Sequence, residues 1–323
     1  MNIFVTHMDL DGLGSVIVNE VLNIDDFDEI FSVNYGTDEE DELYDFVKRL
    51  TGPFKITYAD FSPNPNMRDL LDTKNCKVLV FDHHEAVFDE LNQWGNGKDN
   101  IELHLTTEKC GTKIYYDYID TKHSNTVLNS FVNLVDIYDR FVKTSENWDM
   151  ASKLNRLMYQ LIDFKSGFTA PTLIKHRPFI DSIVMKCIKF PRFGFSPFEE
   201  KKIESAIAKE KAMIRDFETG KRFLKKRIDE KGDYFIVLES PSKISAIADY
   251  FLSKYKHIKY VLAVNSFNKD ELKISARSRE DEFSVLNLEG IQGHTGAGGY
   301  ADVTNEICES LLNGSLYSLK RLD

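Results

Sequence analysis

The sequence has only four cysteines, and no two of them form a CxxC pair. This spacing favours neither a disulfide framework nor a cysteine-rich zinc site. We therefore expect a reduced, cytoplasmic protein whose thiols are packing residues, at positions Cys76, Cys110, Cys187 and Cys308.

The sequence also lacks an apolar run of membrane-spanning length, and its first residues do not combine a basic region with a following apolar one. No association with a membrane is expected. Hydrophobic content of 42% and charged content of 29% are typical of soluble globular proteins. Since 323 residues exceed what one hydrophobic core usually supports, two domains are predicted.

A basic excess is absent as well, because 41 lysines and arginines face 52 aspartates and glutamates, for a net charge of −11. Proteins that bind duplexes or long single strands normally present a basic face. Stable binding of duplex DNA is therefore not expected. The charge is compatible with shorter nucleic-acid ligands, since clustered carboxylates can be neutralised by metal ions.

The first half of the sequence alternates between strand-like and helix-like segments. This alternation predicts an α/β fold with a doubly wound, mostly parallel sheet. The predicted strands are residues 2–9, 29–36, 54–62 and 77–84, and the helices between them include 12–22 and 38–50.

The second half predicts a helical connection and a smaller α/β domain. The pattern turns helical from about residue 150, and residues 197–228 are predicted to form one long helix. Strand-like and helix-like segments alternate again after Gly232. The predicted limits are 1–190 for the first domain, 191–230 for a helical linker and 231–323 for the second domain.

Histidines and aspartates follow the apolar runs of the first domain. In "VLVFDHHEAVF" (78–88), Asp82, His83 and His84 come where a predicted strand ends. Open α/β sheets bind ligands at the carboxyl ends of their strands, so these side chains are candidates for a site.

Three further segments place acidic residues at positions that we predict to be strand ends. "THMDLDGLGS" contributes alternate residues that point to the same side of an extended segment. The residues are His7, Asp9 and Asp11 in that segment, Asp60 in "ITYADFS", and Asp136 and Asp139 in "NLVDIYDRF". Each motif alone also fits a calcium loop, a helix cap or a surface turn. Their joint placement favours one site.

Gathered carboxylates repel one another and raise their own pKa values, and divalent cations remove that cost. Mixed His/Asp donors suit Mn²⁺, and Mg²⁺ more weakly, whereas the lack of thiolates disfavours structural zinc. Two adjacent ions suit phosphoester hydrolysis, because they activate water and stabilise the leaving oxygen.

The motifs "HMDLDG", "YADFS", "FDHHEAV" and "LVDIYDRF" resemble, in this order, the four motifs of the DHH phosphoesterases, which include RecJ-type exonucleases. The segments "KISARS" and "GHTGAGGYA" resemble the substrate-binding DHHA1 domain of the first subfamily. The resemblance covers nearly the whole chain. Its layout is similar to that of the compact nanoRNases and linear-dinucleotide phosphodiesterases.

The resemblance implies two Mn²⁺ ions, with Mg²⁺ as the alternative metal. It implies one ion on His7, Asp9 and Asp60, and the other on Asp11, Asp60 and His83, so that Asp60 bridges them. Asp136 matches the aspartate of the fourth motif, a further ligand of the first ion, and Asp139 remains an alternative.

The resemblance implies two supporting residues in the DHH motif. Asp82 would orient an imidazole and raise its basicity. His84 would face the phosphate or polarise a bridging water without being a primary ligand.

In the second domain the resemblance implies a substrate-binding arginine and a glycine-rich phosphate loop. Backbone amides of such a loop can approach a phosphate closely. Ile291 and Gln292 stand where the family usually has glycines, which puts the form of the phosphate cradle in doubt. The implied residues are Arg277, with Arg279 as a weaker candidate, and Gly293, His294, Gly298 and Gly299.

The predicted function is a metal-dependent phosphodiesterase or exonuclease that hydrolyses short single-stranded oligonucleotides or linear dinucleotides to 5′ mononucleotides. The enzymatic alternatives are a 3′,5′-bisphosphate nucleotide phosphatase and a cyclic-dinucleotide phosphodiesterase. An inert nucleotide-binding protein is the alternative of another class. The sequence leaves open RNA or DNA, the polarity of digestion and the oligomeric state, a homodimer included.

Overall fold

The computed structural model of the protein contains two units, Met1–Ile203 and Glu204–Asp323. It describes residues 1–323 except 24–25, 36, 123, 163–171, 230, 241–243, 267–271, 280–281, 295–296, 301–302 and 314–323. The boundary between the units falls inside a long helix, and the predicted limits at residues 190 and 230 remain predictions.

A five-stranded parallel sheet forms the centre of the first unit. Its strands are β1 (Asn2–His7), β2 (Glu29–Val33), β3 (Phe54–Ala59), β4 (Cys76–Asp82) and β5 (Ile101–Leu105). They lie in the order β2-β1-β3-β4-β5, and every pair is parallel. The chain moves from β1 to one side and then from β3 to the other. The carboxyl ends of β1 and β3 are therefore the switch point at which such sheets bind ligands.

Helices cover both faces of this sheet, as the sequence predicts. The helices of this unit are α1 (Leu10–Leu22), α2 (Asp38–Arg49), α3 (Pro65–Asp72), α4 (Phe88–Gly95), α5 (Gly111–Ile119), α6 (Thr126–Asp139), α7 (Trp148–Gln160), α8 (Thr172–Lys189) and the start of α9 (Pro197–Glu218). Strand residues such as Ile56 and Val78 pack with side chains of α2, α3 and α4. On the other face, Phe4 and Phe81 contact Tyr115 of α5. Alternate strand residues thus supply two cores.

The second unit contains a six-stranded mixed sheet. Its elements are β6 (Leu224–Ile228), β7 (Tyr234–Glu239), α10 (Ile244–Lys254), β8 (Ile258–Asn265), β9 (Lys273–Ser278), β10 (Ile291–His294), β11 (Ala297–Tyr300) and α11 (Asn305–Asn313). The order is β10-β11-β9-β8-β7-β6, and only β7 and β8 run parallel. Two apolar clusters form its core.

The prediction of one helix over residues 197–228 is wrong at its carboxyl end. Helix α9 ends at Glu218, and Gly220 follows with φ of 73°, a left-handed conformation that glycine adopts without strain. Residues Leu224–Ile228 form β6, which pairs antiparallel with β7. This tertiary pairing overrides the helical preference of the lysine-rich segment.

None of the helices in the described part of the chain combines the length and hydropathy of a transmembrane span.

Candidate metal centre

The candidate site lies at the carboxyl ends of β1, β3 and β4. His7 ends β1, Asp60 follows β3, and Asp82 ends β4 with His83 directly after it. Because neighbouring parallel strands end at the same edge, these side chains meet at the switch point of the sheet.

The turn after β1 holds His7 and Asp9 together. Asp9 is the N-cap of α1 and accepts a hydrogen bond from Gly12 N at 3.1 Å, while its other oxygen lies 3.0 Å from His7 Nδ1. Burial lowers the pKa of His7, but the Asp9 carboxylate outweighs it and leaves the pKa above its usual value. A Cβ on Gly12 would lie 2.1 Å from His7 O, so this turn requires glycine.

Asp11 is fully buried in the first turn of α1 and faces the N-terminus of α5. Its two carboxylate oxygens accept hydrogen bonds from Gly111 N at 2.7 Å and Thr112 N at 2.8 Å. The N-terminus of α5 therefore holds this carboxylate in a fixed position through two backbone amides.

Asp60 has a left-handed backbone with φ of 57° and is buried at 1% exposure. Its amide donates to Phe81 O at 2.9 Å. A Cβ on Gly111 would lie 2.7 Å from Asp60 N, Cα and Cβ, so only glycine allows α5 to approach this closely. Asp60 is therefore positioned by β4 on one side and by the start of α5 on the other.

Negative charge accumulates around Asp60. Burial, followed by repulsion from Asp11, Asp9 and Asp139, raises the pKa of Asp60 well above its usual value. Burial, Asp11 and Asp9 do the same to the pKa of Asp139. Within the described residues, Asp60 Oδ2 and Asp139 Oδ2 are buried and make no hydrogen bond of acceptable geometry. Such oxygens are natural ligands for a divalent cation.

Asp82 orients His84. The carboxylate of Asp82 accepts hydrogen bonds from His83 N, His84 N and, at 2.7 Å, His84 Nδ1, and it also accepts one from Ser62 Oγ. Burial lowers the pKa of His84, but Asp82 outweighs it and raises that pKa to about 9. Burial raises and His84 lowers the pKa of Asp82, which ends well below its usual range. The pair is therefore ionised at neutral pH.

His83 points into the carboxylate cluster instead. Its Nε2 lies 3.2 Å from Asp139 Oδ2, 3.3 Å from Asp60 Oδ1 and 3.7 Å from Asp11 Oδ2. Burial, followed by repulsion from His84, lowers the pKa of His83. The neutral imidazole that this favours is the form that binds metals.

The fourth motif is helical, so the prediction that it ends a strand is wrong. Asp136 and Asp139 lie in the last turn of α6. The short apolar run before them belongs to a 14-residue helix, and such a run does not distinguish a strand from a buried helix. Asp136 Oδ1 accepts a hydrogen bond from Cys110 N at 2.8 Å, whereas Asp139 lies beside His83.

Three overlapping groups of side chains in the described part of the chain could each hold a cation, with donor atoms within 4.8 Å of one another. Asp60 belongs to two of these groups, and His83 also belongs to two. The groups are His7, Asp9 and Asp60; Asp60, His83 and His84; and Asp11, His83 and Asp139. The donor set of carboxylates and imidazoles fits Mn²⁺ or Mg²⁺.

Arg277 lies on the central strand β9 of the second unit, paired with Ala297 of β11, and its Nη1 donates to Ala276 O at 2.8 Å. Arg279 has a structural contact: its guanidinium donates to Leu252 O and Tyr255 O at the end of α10. It also pairs with Glu282 at 2.9 Å.

The glycines after β9 lie in paired strands, which corrects the expectation of a loop. Gly293 of β10 pairs with Gly298 of β11, and Gly299 pairs with Ser275 of β9. Antiparallel pairing uses the backbone groups that a phosphate loop would present. His294 ends β10, and its side chain lies outside the part of the chain that the structure describes.

Sequence analysis missed four residues that support the site: Gly111, Thr112, Ser62 and Tyr35. Gly111 and Thr112 bond to Asp11 across about a hundred residues, and no local pattern predicts that contact. Ser62 is close to Asp60 in sequence, but its contact with Asp82 becomes visible only in the folded chain. The contact of Tyr35 with the Ser62 amide likewise depends on the fold.

No protein-family model and no curated protein matches this sequence. One solved structure, described as the DHH domain of a member of a family of ribosomal proteins, is similar over 99% of this chain and 87% of its own, with 12% identity and a TM-score of 0.58. This chain has the fold of a DHH domain protein. Two further structures score below 0.5, so the fold assignment rests on the first.

Two of the structures with TM-scores below 0.5 are RecJ in complex with Mn²⁺ from Thermus thermophilus and CDC45 from Entamoeba histolytica. RecJ is 14% identical with a TM-score of 0.48, and the match covers 99% of this chain and 53% of RecJ. CDC45 is 9% identical with a TM-score of 0.48, and the match covers 97% of this chain and 95% of CDC45.

Proposed function

We propose that this DHH-fold protein is a metal-dependent phosphodiesterase that hydrolyses short oligonucleotides or linear dinucleotides to 5′ mononucleotides. The observation that carries the proposal is the set of overlapping His/Asp groups that share Asp60 and His83 at the switch point of the sheet. A buried cluster of carboxylates, in which the pKa values of Asp60 and Asp139 are raised, is unfavourable by itself and would become favourable around divalent cations.

Two divalent ions would fit the donors as two neighbouring sites. His7, Asp9 and Asp60 would hold one ion, and Asp11, His83 and Asp139 the other, with Asp60 placed between them. Asp139 replaces Asp136 in this proposal because Asp139 lies 3.2 Å from His83 Nε2 within one donor group, whereas Asp136, bonded to Cys110 N, belongs to none of the groups found among the described residues. Such ions would supply an activated water and offset charge on a phosphodiester.

The residues around the metal donors would bind and orient the substrate. His84 is held protonated by Asp82, and its side chain is 25% exposed. A positively charged imidazole beside the metal donors would attract a phosphate group of the substrate. Asp82, which accepts four hydrogen bonds, fixes the ring orientation and does not itself need to touch substrate.

The net charge supports a short substrate. A chain with a charge of −11 gains little from counterion release on a long polymer. Recognition would then come from a few specific contacts, among which we propose Arg277 and His294 of the second unit. A charge-assisted hydrogen bond is worth about 1.5–3 kcal/mol, so Arg277→Ala and His294→Ala should each lower kcat/KM on a dinucleotide by roughly 10- to 150-fold.

The test is a turnover panel with Mn²⁺. The substrates are RNA and DNA of two to five nucleotides, long single strands, a 3′,5′-bisphosphate nucleotide and cyclic dinucleotides. Wild type should be most active on the short linear substrates, EDTA should abolish turnover, and added Mn²⁺ should restore it. Asp60→Ala should be inactive on every substrate.

A matched control removes an exposed carboxylate that is not in any donor group found among the described residues. Asp89 lies in the first turn of α4, and Asp89→Ala should retain wild-type turnover. Full activity in excess chelator, or an active Asp60→Ala, would contradict the metal-dependent mechanism. A preference for the bisphosphate or cyclic substrate would contradict the proposed substrate class while leaving the metal site intact.

A further inference from the structure

Tyr35 lies beside the proposed metal ligands but is not one of them. It follows the carboxyl end of β2, the edge strand next to β1, and Val33 two residues earlier pairs with His7. The ring centroids of Tyr35 and His7 are 6.2 Å apart. Tyr35 is 47% exposed.

The ring of Tyr35 is held in place from two directions. Phe61, which is buried, stacks on one face with centroids 4.3 Å apart and an interplanar angle of 23°. The Ser62 amide donates to the Tyr35 hydroxyl at 3.1 Å. Ser62 also donates through its hydroxyl to Asp82.

These contacts fix the position of the ring relative to the proposed metal ligand Asp60, because Phe61 and Ser62 directly follow it in the chain. Since Phe61 covers one face of the ring, the exposed area belongs to the other face and the edge. The result is a fixed, flat, half-exposed aromatic surface within one nucleotide's span of the metal donors. Fixed aromatic faces of this kind stack on nucleobases without regard to base identity.

We propose that Tyr35 is the stacking platform for the base adjacent to the scissile phosphate. The inference rests on the proposed function and specifies its substrate as a nucleotide diester with a base at this position. Base–aromatic stacking is worth about 1–3 kcal/mol, which corresponds to roughly 5- to 150-fold in kcat/KM.

Three variants test the platform by turnover of a dinucleotide. Tyr35→Leu keeps an apolar side chain against Phe61 but loses the ring, and its kcat/KM should fall by roughly 5- to 150-fold. Tyr35→Phe keeps the ring and should stay within about threefold of wild type, because only the bond from the Ser62 amide is lost. Tyr118→Leu is the matched control: Tyr118 is 42% exposed and contacts His104 of β5, the opposite edge strand.

A second measurement detects stacking directly and needs no turnover. The probe is a dinucleotide that contains 2-aminopurine and a non-hydrolysable methylphosphonate link, since stacking quenches 2-aminopurine fluorescence. Wild type, Tyr35→Phe and Tyr118→Leu should quench the probe, whereas Tyr35→Leu should not.

The outcomes separate this inference from the proposed function. If wild type hydrolyses none of the phosphodiesters but quenching still depends on Tyr35, the proposed function is wrong and the stacking role of Tyr35 is supported. If wild type hydrolyses the dinucleotide but does not quench the 2-aminopurine probe, the stacking role of Tyr35 is wrong, even if Tyr35→Leu fails to fold. Equal kcat/KM and equal quenching for wild type and a folded Tyr35→Leu would also overturn it.

Discussion

Substitution of Gly111 by alanine should weaken metal binding although Gly111 carries no ligand atom. The added Cβ would lie 2.7 Å from three atoms of Asp60, two of which belong to the backbone. Since ordinary packing begins near 3.4 Å, Asp60 or the start of α5 must move by roughly 0.7 Å. Metal–ligand distances tolerate only about 0.2 Å, so the donor geometry cannot stay intact.

The free energy of unfolding should also fall. Overpacking a closely packed site costs about 1–3 kcal/mol. Alanine gains at most about 1 kcal/mol over glycine in a helix, and less at the first helical position. Overpacking should therefore dominate, with a net loss of about 1–2 kcal/mol.

The assay is chemical denaturation without metal, together with calorimetric titration of Mn²⁺. We expect Gly111→Ala to lose at least about tenfold in Mn²⁺ affinity, which is the size of effect that supporting residues of metal sites typically show. Gly52→Ala is the matched control, because a Cβ on Gly52 meets nothing within 4 Å. Unchanged stability and Mn²⁺ affinity in Gly111→Ala would refute the argument that α5 positions Asp60.

Three further predictions concern the DHH motif and the fourth motif. His83→Ala should lower the stoichiometry or affinity of Mn²⁺ binding, and high Mn²⁺ should restore part of its activity. His84→Ala should bind Mn²⁺ normally but turn over slowly at saturating metal. Calorimetry and steady-state kinetics would show the reverse pattern if the roles of the two histidines are exchanged. Asp139→Asn should weaken Mn²⁺ binding more than Asp136→Asn, since Asp139 lies 3.2 Å from His83 Nε2, and a larger loss in Asp136→Asn would contradict this. Finally, the metal-free protein should lose about 2 kcal/mol of stability between pH 6.5 and about 9, and His84→Gln should not. Because the pKa of His84 is raised, the folded protein keeps a proton that the unfolded chain releases near pH 6.5. The stability contributed by the His84–Asp82 pair is therefore complete below pH 6.5 and disappears as the pH rises through about 9. Denaturation curves with the same pH dependence for wild type and His84→Gln would contradict this prediction.

The sheet and the meeting of the main site residues were predictable because they follow from local pattern and a general rule. Apolar runs such as residues 78–81 alternate along the sequence with helix-like segments, and this alternation predicts buried parallel strands. The carboxyl-end rule then brings His7, Asp60 and His83 to one edge. Their metal-binding roles remain predictions.

The remaining features depend on contacts between distant parts of the chain. The choice between Asp136 and Asp139 depends on the Cys110 amide, which α5 places against Asp136. The strand β6 depends on β7. Periodicity describes which face of an element is buried, but it does not specify which backbone group will meet a given carboxylate.

The backbone conformation and the buried charge of Asp60 both bear on its proposed role as a metal ligand. A left-handed backbone costs a residue with a Cβ on the order of 1 kcal/mol, and three neighbouring carboxylates add repulsion. Asparagine would fit the same backbone without the charge, so folding alone gives no reason for an aspartate here. The hydrogen bond to Phe81 O and the close approach of Gly111 hold the backbone, but neither neutralises the carboxylate. A cation at the proposed site would do so, and it would stabilise the folded protein by about 2.7 kcal/mol at a concentration 100 times its Kd. The proposed function would therefore account for an aspartate at this position, because cation binding requires its carboxylate.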